Sequence, residues 1–301
     1  LLAPKKHACE FRAKSYLIHD QPLFNLMRRL ERRGLPTVYP HPSHLYSTLT
    51  AKEWPAHMCL APAFRVPLST LVPRASAVRC PHRAAKDALE SLAVLRAARD
   101  ATDVEETFDT HGEASASHGC KGVLKVACSW RSEGVFMFDG ALELAQELER
   151  LSGSGEHSAY LVQERVESVL CEACVYLLQG RIAGIWYYRF AHHGGLPKSL
   201  SREAVALLAK GEEVLAQTEK SMKRLALRWL AWARAECSEL QPFLRIDFLM
   251  AAGCEEDAEL PFWTGEVSEL SSAVKMEGYT DDASRTMVLN AVLDSILSQT
   301  P

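Results

Sequence analysis

The order of hydrophobic and polar positions along the chain predicts a mixture of helices and strands. Residues 243–250 and 262–269 each alternate apolar residues with charged or hydroxyl residues. This alternation indicates strands, because successive side chains of a strand point to opposite faces. The stretch between the two segments holds Gly253 and an acidic cluster. The pair therefore predicts a β-hairpin with an exposed loop.

Four polar side chains of this hairpin are expected to converge on one surface. Arg245 and Asp247 share a face of the first strand, and Glu266 and Ser268 share a face of the second. Two close carboxylates repel each other unless a cation lies between them, and oxygen ligands of this kind suit Mg²⁺. The same alternation also describes an ordinary half-solvated antiparallel sheet. Both interpretations stay open on these two segments alone.

Periodicity predicts the other elements of the chain. Helices are expected at about 22–33, 84–99, 140–151, 201–235 and 281–297, and strands at 15–19, 36–39, 122–128, 135–138, 159–166, 172–178 and 181–189. Gly211 is expected to divide the helical region 201–235, and Asp139 is expected to cap the helix 140–151. Gln179-Gly180 is expected to form a hairpin turn. Residues 100–119 show no apolar period and are expected to form a polar linker.

Composition limits the classes of protein that fit the chain. With 301 residues, of which 48% are hydrophobic and 24% charged, it matches a soluble globular protein of two or three domain-sized units. A net charge of −4 gives no reason to expect a nucleic-acid partner. The chain has no apolar run long enough to span a membrane and no signal-peptide pattern. We therefore expect no membrane partner and an intracellular, cytoplasmic location.

The nine cysteines are scattered, and their number is odd. Cys128, Cys171 and Cys174 lie in apolar runs, which is typical of reduced, buried thiols and of a reducing compartment. Cys171 and Cys174 form a CxxC inside a predicted strand. Positions i and i+3 of a strand face opposite sides, so this pair does not favour a joint metal or redox role.

Two further positions indicate possible chemistry. Lys125 lies in the middle of an apolar strand, where a buried ammonium normally has an anionic partner; alternatively its stem carries the charge to the surface. The following Ser/Gly loop, 129–134, could close over phosphates with its backbone N–H groups. The strand ending at Gln163-Glu164 could offer backbone groups to a purine, and Glu172 a carboxylate to a ribose. Solvated strand-end charges are the alternative for both glutamates.

Taken in chain order, these segments resemble the ATP-grasp family. Residues 45–52 look like the segment that carries the family's first nucleotide-binding lysine, which is Lys52 here. Residues 59–67 look like the segment that follows this lysine in the family, and 123–126 looks like the family's "vvKP" strand. Residues 129–134 are similar to its glycine loop, and 161–166 to its "vvqEyv" adenine hinge. Residues 244–248 and 265–268 look like its "vRvDf" and "nEvN" motifs. The likeness covers about residues 15–300.

The resemblance implies roles for individual residues. The nucleotide-binding positions are Lys52, Lys125, Ser132, Gly134, Gln163, Glu164, Arg165, Val166 and Glu172. The ligands of Mg²⁺ are Asp247 and Glu266, with Ser268 at the position of the family's asparagine. Arg245 orients the transferred phosphoryl group, and Lys125 neutralises phosphate charge. Arg189 is the candidate for the acceptor carboxylate, since arginine can bind one bidentately; a plain surface arginine is the alternative.

The resemblance also implies the fold class and the reaction. The fold is α+β or α/β, with a short pre-ATP-grasp α/β layer at 1–50 and two α+β subdomains, 51–165 and 166–301, clasping ATP. The expected activity is a ligase that converts a carboxylate to an acyl phosphate for attack by an amine or thiol. The alternatives are a degenerate module that serves as a nucleotide-binding or structural subunit, and a kinase that phosphorylates a hydroxyl. The expected partners are small molecules, and a homo-oligomer or an assembly partner stays open.

Overall fold

The computed structural model of the chain describes residues 20–35, 43–50, 52–106, 120–126, 134–153, 158–189, 198–236, 243–254 and 257–268, with five further positions between 286 and 294. The helices are α1 (Asp20–Glu31), α2 (Ser43–Thr50), α3 (Trp54–Met58), α4 (Arg74–Arg79), α5 (Pro81–Glu106), α6 (Gly140–Ser152), α7 (Arg202–Leu208) and α8 (Glu212–Glu236). The strands are β1 (Ser69–Pro73), β2 (Lys121–Val126), β3 (Val135–Asp139), β4 (Ala159–Glu164), β5 (Val169–Leu178), β6 (Arg181–Arg189), β7 (Lys198–Leu200), β8 (Phe243–Ala251) and β9 (Phe262–Ser268).

The chain divides into two compact units. Unit 1 comprises Leu1–Leu26, Ala51–Pro62 and Val66–Arg165, and unit 2 comprises Met27–Thr50, Ala63–Arg65 and Val166–Pro301. Each unit holds one antiparallel sheet. No helix among the described residues is long and apolar enough to cross a membrane.

Unit 1 is a four-stranded sheet covered on one face by helices. Its strand order is β1-β4-β2-β3. Alternate residues of β2, including Leu124 and Val126, point into a core formed with α5 and α6, where Leu92 and Leu148 are fully buried. The positions between them, including Lys125, therefore lie on the face of the sheet that α5 and α6 do not cover.

Unit 2 is a five-stranded sheet in the order β7-β6-β5-β8-β9. One face packs against α8. From that helix, Glu219 accepts a 2.6 Å hydrogen bond from the Tyr187 hydroxyl of β6, and Trp229 donates one of 3.1 Å to Thr264 of β9. The opposite face carries the alternate residues of β5, β8 and β9.

A short segment of unit 2 lines the outer side of β9, an edge strand. It begins in the 3₁₀ turn Pro62–Phe64. The Thr264 amide donates to the Arg65 carbonyl at 2.8 Å, and the Thr264 hydroxyl donates to the Phe64 carbonyl at 2.7 Å. The Phe64 ring lies edge-on to Trp229, with 4.5 Å between ring centroids. The backbone amide of Thr264 at this edge is thus bonded within the chain.

Most predicted elements with described residues are confirmed, including the β8–β9 hairpin and the division of α7 from α8 at Gly211. The turn between β5 and β6 is also confirmed, and Gln179 and Gly180 both have positive φ, as that tight hairpin requires. The strands predicted at 15–19 and 36–39 lie outside the described residues. Most of the predicted C-terminal helix does too, although the described positions between 286 and 294 are helical.

Two local predictions are wrong. Residues 100–106, predicted as linker, continue helix α5. Asp139 makes no side-chain capping bond to α6. Its backbone amide instead donates to the Glu143 carboxylate at 2.7 Å. A side chain from the first turn of α6 therefore accepts a bond from the residue before the helix.

Candidate functional site

The predicted convergence of charges in unit 2 is confirmed by the strand register. Asp247 of β8 lies opposite Glu266 of β9 on one side and opposite Cys174 of β5 on the other. Arg245 lies opposite Ser268 in the adjacent row. A β-bulge at Gly265 places Glu266 and Ser268 on this face, although Thr264 faces α8. The hairpin therefore presents the expected arginine, two carboxylates and hydroxyl on the sheet face away from α8.

Arg245 and Asp247 form a bidentate ion pair at the centre of this surface. Nε of Arg245 donates to Oδ1 of Asp247 at 2.7 Å, and Nη2 donates to Oδ2 at 2.6 Å. Nη2 also donates to the Ser268 hydroxyl at 3.3 Å. The Asp247 side chain is only 1% exposed. A carboxylate so deeply buried depends on its charged partner, which fixes the position of both side chains.

Asp247 also belongs to a group of three potential metal ligands. One carboxylate oxygen each from Asp247 and Glu172 and the sulfur of Cys174 all lie within 4.8 Å of one another. Burial raises the pKa of Asp247, and the nearby Glu266 charge adds to the rise, while the charge and hydrogen bonds of Arg245 oppose it. Burial likewise raises the pKa of the Cys174 thiol well above its usual value, with further increases from Asp247 and Glu172.

Sequence reasoning did not find Cys174, because the CxxC was considered as a unit with Cys171. The structure separates the two. The Cys171 sulfur lies 3.8 Å from that of Met250, whereas Cys174 lies opposite Asp247. The signal that was available is the i, i+2 spacing of Glu172 and Cys174, which places them on one face of a strand.

Aromatic side chains border the charged group. Tyr176 lies opposite Arg245 and packs edge-on to Trp186, with 4.4 Å between ring centroids. Burial raises the pKa of Tyr176 to about 12, and burial also raises the pKa of Tyr188. These rings surround Arg245 and Asp247 with weakly polar material, which strengthens charge interactions there.

In unit 1, Lys125 and Gln163 belong to the same face of the sheet. Lys125 lies opposite Leu161, and Val123 lies opposite Gln163, in the ladder between β2 and β4. Lys125 is half-buried rather than enclosed in the core. Gln163 is almost fully buried, and its amide donates to the Ser69 hydroxyl at 2.8 Å. The Gln163 side chain is therefore held within the sheet.

Glu164 faces the other way, toward α5. Its carboxylate accepts hydrogen bonds of 2.8 and 3.2 Å from Arg96 and one of 3.4 Å from Arg99. Its backbone amide donates to the Leu68 carbonyl. The Glu164 side chain thus attaches α5 to β4, and a contact between Glu164 and the nucleotide stays a prediction.

The remaining predicted residues are spread over the two units. Lys52 is half-buried in the turn before α3, with a φ of 55°. Gly134, with a φ of 76°, begins the turn into β3, and its carbonyl accepts from the Val126 amide at 2.8 Å. Arg165 and Val166 follow β4, and the Arg165 amide donates to the Lys121 carbonyl at 3.4 Å.

Ser132 lies outside the described residues. Arg189, the exposed last residue of β6, shares by alternation the face of Tyr187, which contacts α8. The sheet therefore does not direct Arg189 toward Asp247.

The donor set fits a divalent cation. Asp247 and Glu266 are direct cross-strand neighbours, and such pairs have Cβ atoms about 5 Å apart. Glu172 adds a third carboxylate, one oxygen of which lies within 4.8 Å of an oxygen of Asp247. Carboxylate oxygens in this number are the ligands that Mg²⁺ uses when it also contacts phosphates.

Solved structures similar to this chain include two enzymes. A D-cycloserine synthetase aligns over 92% of this chain and 80% of its own, with a TM-score of 0.56 and 18% identity. A D-alanine–D-alanine ligase from Bacillus anthracis aligns over 91% of this chain and 75% of its own, with a TM-score of 0.51 and 12% identity. At these identities the likeness establishes the fold. No protein-family model matches the chain, and neither does any curated protein sequence.

Proposed function

The chain has the ATP-grasp fold, and on that premise we propose that it is an ATP- and Mg²⁺-dependent ligase that joins a carboxylate to an amine or thiol. The observation that carries the proposal is the row formed by Asp247 and Glu266 beside Arg245 on one sheet face. Both similar enzymes are named as a synthetase or ligase, which supports the same class of reaction here.

The proposed reaction has two steps. An oxygen of the acceptor carboxylate attacks the γ-phosphorus of ATP, and the bond from that phosphorus to ADP breaks. The nitrogen or sulfur nucleophile then attacks the acyl carbon, phosphate leaves with the former carboxylate oxygen, and the proton of the nucleophile passes to solvent or to a base. Catalysis of this kind consists mainly of positioning and charge stabilisation.

The residues of unit 2 have defined parts in this scheme. Asp247 and Glu266 would bind Mg²⁺, with Ser268 and Glu172 beside them, and Mg²⁺ would neutralise charge on the phosphates. Arg245 would orient the transferring phosphoryl group while it keeps Asp247 in place. The bordering aromatic rings would keep water from these charges.

The nucleotide contacts would come mainly from unit 1. We propose that Lys125 and Lys52 contact the phosphates and that the backbone from Gln163 to Val166 contacts the adenine. The Glu164 carboxylate would act indirectly, because its bonds to Arg96 and Arg99 hold the strand that leads into this segment.

A second candidate is an ATP-grasp module that binds nucleotide without turnover. One observation favours it: Arg245 engages both oxygens of Asp247 and also the hydroxyl of Ser268, which stands where the family has asparagine. This candidate predicts no ADP release with any acceptor.

The test is Mg²⁺-dependent ADP release across a panel of amino acids and small carboxylates with amine or thiol nucleophiles. Glu266→Gln is the informative variant, because it leaves the Arg245–Asp247 pair intact. We expect its turnover to fall by about ten- to a hundredfold or more, as for loss of groups around a metal. Glu90→Gln, at an exposed position of α5, serves as the control and should retain full turnover. Turnover unchanged in Glu266→Gln would refute the assigned site, and no turnover in the parent protein would favour the second candidate.

A further inference from the structure

The cluster formed by Glu172, Cys174 and Asp247 contains a sulfur ligand that a Mg²⁺ site does not use. Glu172 and Cys174 project from one face of β5, and Cys174 is the direct cross-strand neighbour of Asp247. The sulfur and the two carboxylate oxygens lie within 4.8 Å of one another. Cys174 and Asp247 are 2% and 1% exposed, whereas Glu172 is half-buried. Two of the three potential ligands, Cys174 and Asp247, are thus buried, and the third, Glu172, is partly exposed to solvent.

A set of one sulfur and two carboxylate oxygens favours divalent cations of borderline softness over Mg²⁺. Mg²⁺ prefers oxygen ligands in a strict octahedron, whereas Zn²⁺ and Co²⁺ accept mixed sulfur and oxygen ligands. Three protein ligands plus an open position is also the usual arrangement of a Zn²⁺ site that keeps a water molecule. We propose that Glu172, Cys174 and Asp247 form a binding site for a thiophilic divalent cation of the Zn²⁺ type.

Arg245 is compatible with this site. An ionised carboxylate has about four lone-pair positions on its two oxygens, so the bidentate contact with Arg245 leaves acceptor positions on Asp247. Arg245 would then orient Asp247 as an outer partner of the metal ligand. Binding replaces the thiol proton of Cys174, which is released to solvent, so that a thiolate contacts the cation.

Binding of the cation does not depend on the proposed function. Its regulatory consequence rests on the proposed function. Asp247 belongs to both donor sets. A Zn²⁺-type cation bound through Cys174 would therefore compete with Mg²⁺ and inhibit the ligase reaction, and removing the sulfur would relieve that inhibition.

The test uses Co²⁺ as a spectroscopic probe, because a Co²⁺–thiolate bond produces a near-ultraviolet charge-transfer band. The protein background is Cys80→Ser/Cys254→Ser, which removes two exposed thiols. We expect saturable binding with this band in the absence of ATP, loss of the band in Cys174→Ser, and its retention in Cys171→Ser. Cys171 is the matched control, since it is equally buried on the same strand but faces α8.

Glu172→Gln provides a second variant in case Cys174→Ser unfolds. It removes one oxygen from a half-buried position and should weaken Co²⁺ binding by about tenfold or more while the thiolate band persists at saturation. No band in the folded background protein, or a band unchanged in a folded Cys174→Ser, would overturn the proposal. So would an unchanged Co²⁺ affinity in Glu172→Gln.

Activity measurements separate this inference from the proposed function. Mg²⁺-dependent turnover without a Co²⁺ band would leave the ligase proposal in place and remove the thiophilic site. A Cys174-dependent band without turnover under any condition would support the site and remove the ligase. If both hold, Zn²⁺ should inhibit turnover, and Cys174→Ser should raise the inhibitory concentration by at least about tenfold.

Discussion

The Arg245–Asp247 pair combines a proposed functional role with a structural requirement. Both side chains lie within the sheet, and each is the charged partner of the other. Removing one member of such a pair leaves a buried charge without compensation, which usually costs about 3–5 kcal/mol. The pair therefore cannot be tested for catalysis without also measuring stability.

We predict that Arg245→Met and Asp247→Leu each lower the free energy of unfolding by about 3 kcal/mol, and that the double variant recovers most of the loss. Recovery is expected because two apolar side chains need no charged partner. Urea denaturation of the three variants provides the measurement. Two single losses below about 1 kcal/mol would show that the pair is exposed to solvent in solution.

At the scale of residues, strand alternation predicted that the polar side chains of β8 and β9 converge, whereas their proposed roles came from the resemblance to ATP-grasp proteins. Arg245 and Asp247 are two positions apart on β8, and period two is enough to place them together. The register between β5 and β8, which places Cys174 opposite Asp247, cannot be read from the sequence. Nor does it show that Glu164 faces α5, because that depends on where Arg96 and Arg99 lie in the folded chain.

At the scale of elements, helix α2 shows why local patterns can fail. The segment around it is rich in proline and histidine and gave no helix signal. The N-terminal residue of α2, Ser43, donates from its amide at 2.7 Å and from its hydroxyl at 2.5 Å to the carboxylate of Glu31. That carboxylate comes from the end of α1, so it satisfies the first turn by a tertiary contact. Helices α5, α6 and α8 were predictable because their apolar periods are long.

A close approach between β2 and β3 gives a prediction for the unit 1 sheet. The Phe138 ring lies directly over Gly122, and any Cβ at that position would overlap the ring. Phe138 is 2% exposed and belongs to the core of unit 1, so a shift of its ring would disturb buried neighbours. We predict that Gly122→Ala lowers the free energy of unfolding by about 1–3 kcal/mol or more, as overpacking usually does.

Gly153→Ala is the matched control for Gly122→Ala. Gly153 ends α6 with a φ of −77°, and the nearest atoms to an added Cβ lie 3.9 Å away. Its change in unfolding free energy should stay within about 0.5 kcal/mol. The comparison, made by chemical denaturation, fails if the two alanine variants are equally stable.

At the scale of the whole molecule, the proposed function predicts that MgATP stabilises the folded chain. A ligand that binds only the native state contributes about 2.7 kcal/mol at a hundredfold excess over its Kd. For a chain of this size that corresponds to a rise of several degrees in Tm. The measurement is thermal unfolding with ATP alone, Mg²⁺ alone and both together.

We expect the rise with MgATP to be larger than with ATP alone and to shrink in Glu266→Gln. Glu90→Gln, which alters an exposed ion pair on α5, should keep the full rise. Equal stabilisation by ATP with and without Mg²⁺ would show that the carboxylates of β8 and β9 do not bind the metal–nucleotide complex.

The segment that lines β9 has a consequence for self-association. An edge strand exposes unpaired backbone donors and acceptors, which makes it a template for strands of other molecules and for aggregates. Here the Thr264 amide and hydroxyl are already bonded to Arg65 and Phe64, and the Phe64 ring anchors them against Trp229. This part of the edge is therefore closed by the chain's own backbone. A change that releases Phe64 would open the edge to intermolecular strand pairing, so its effect should grow with protein concentration, unlike an ordinary loss of core packing.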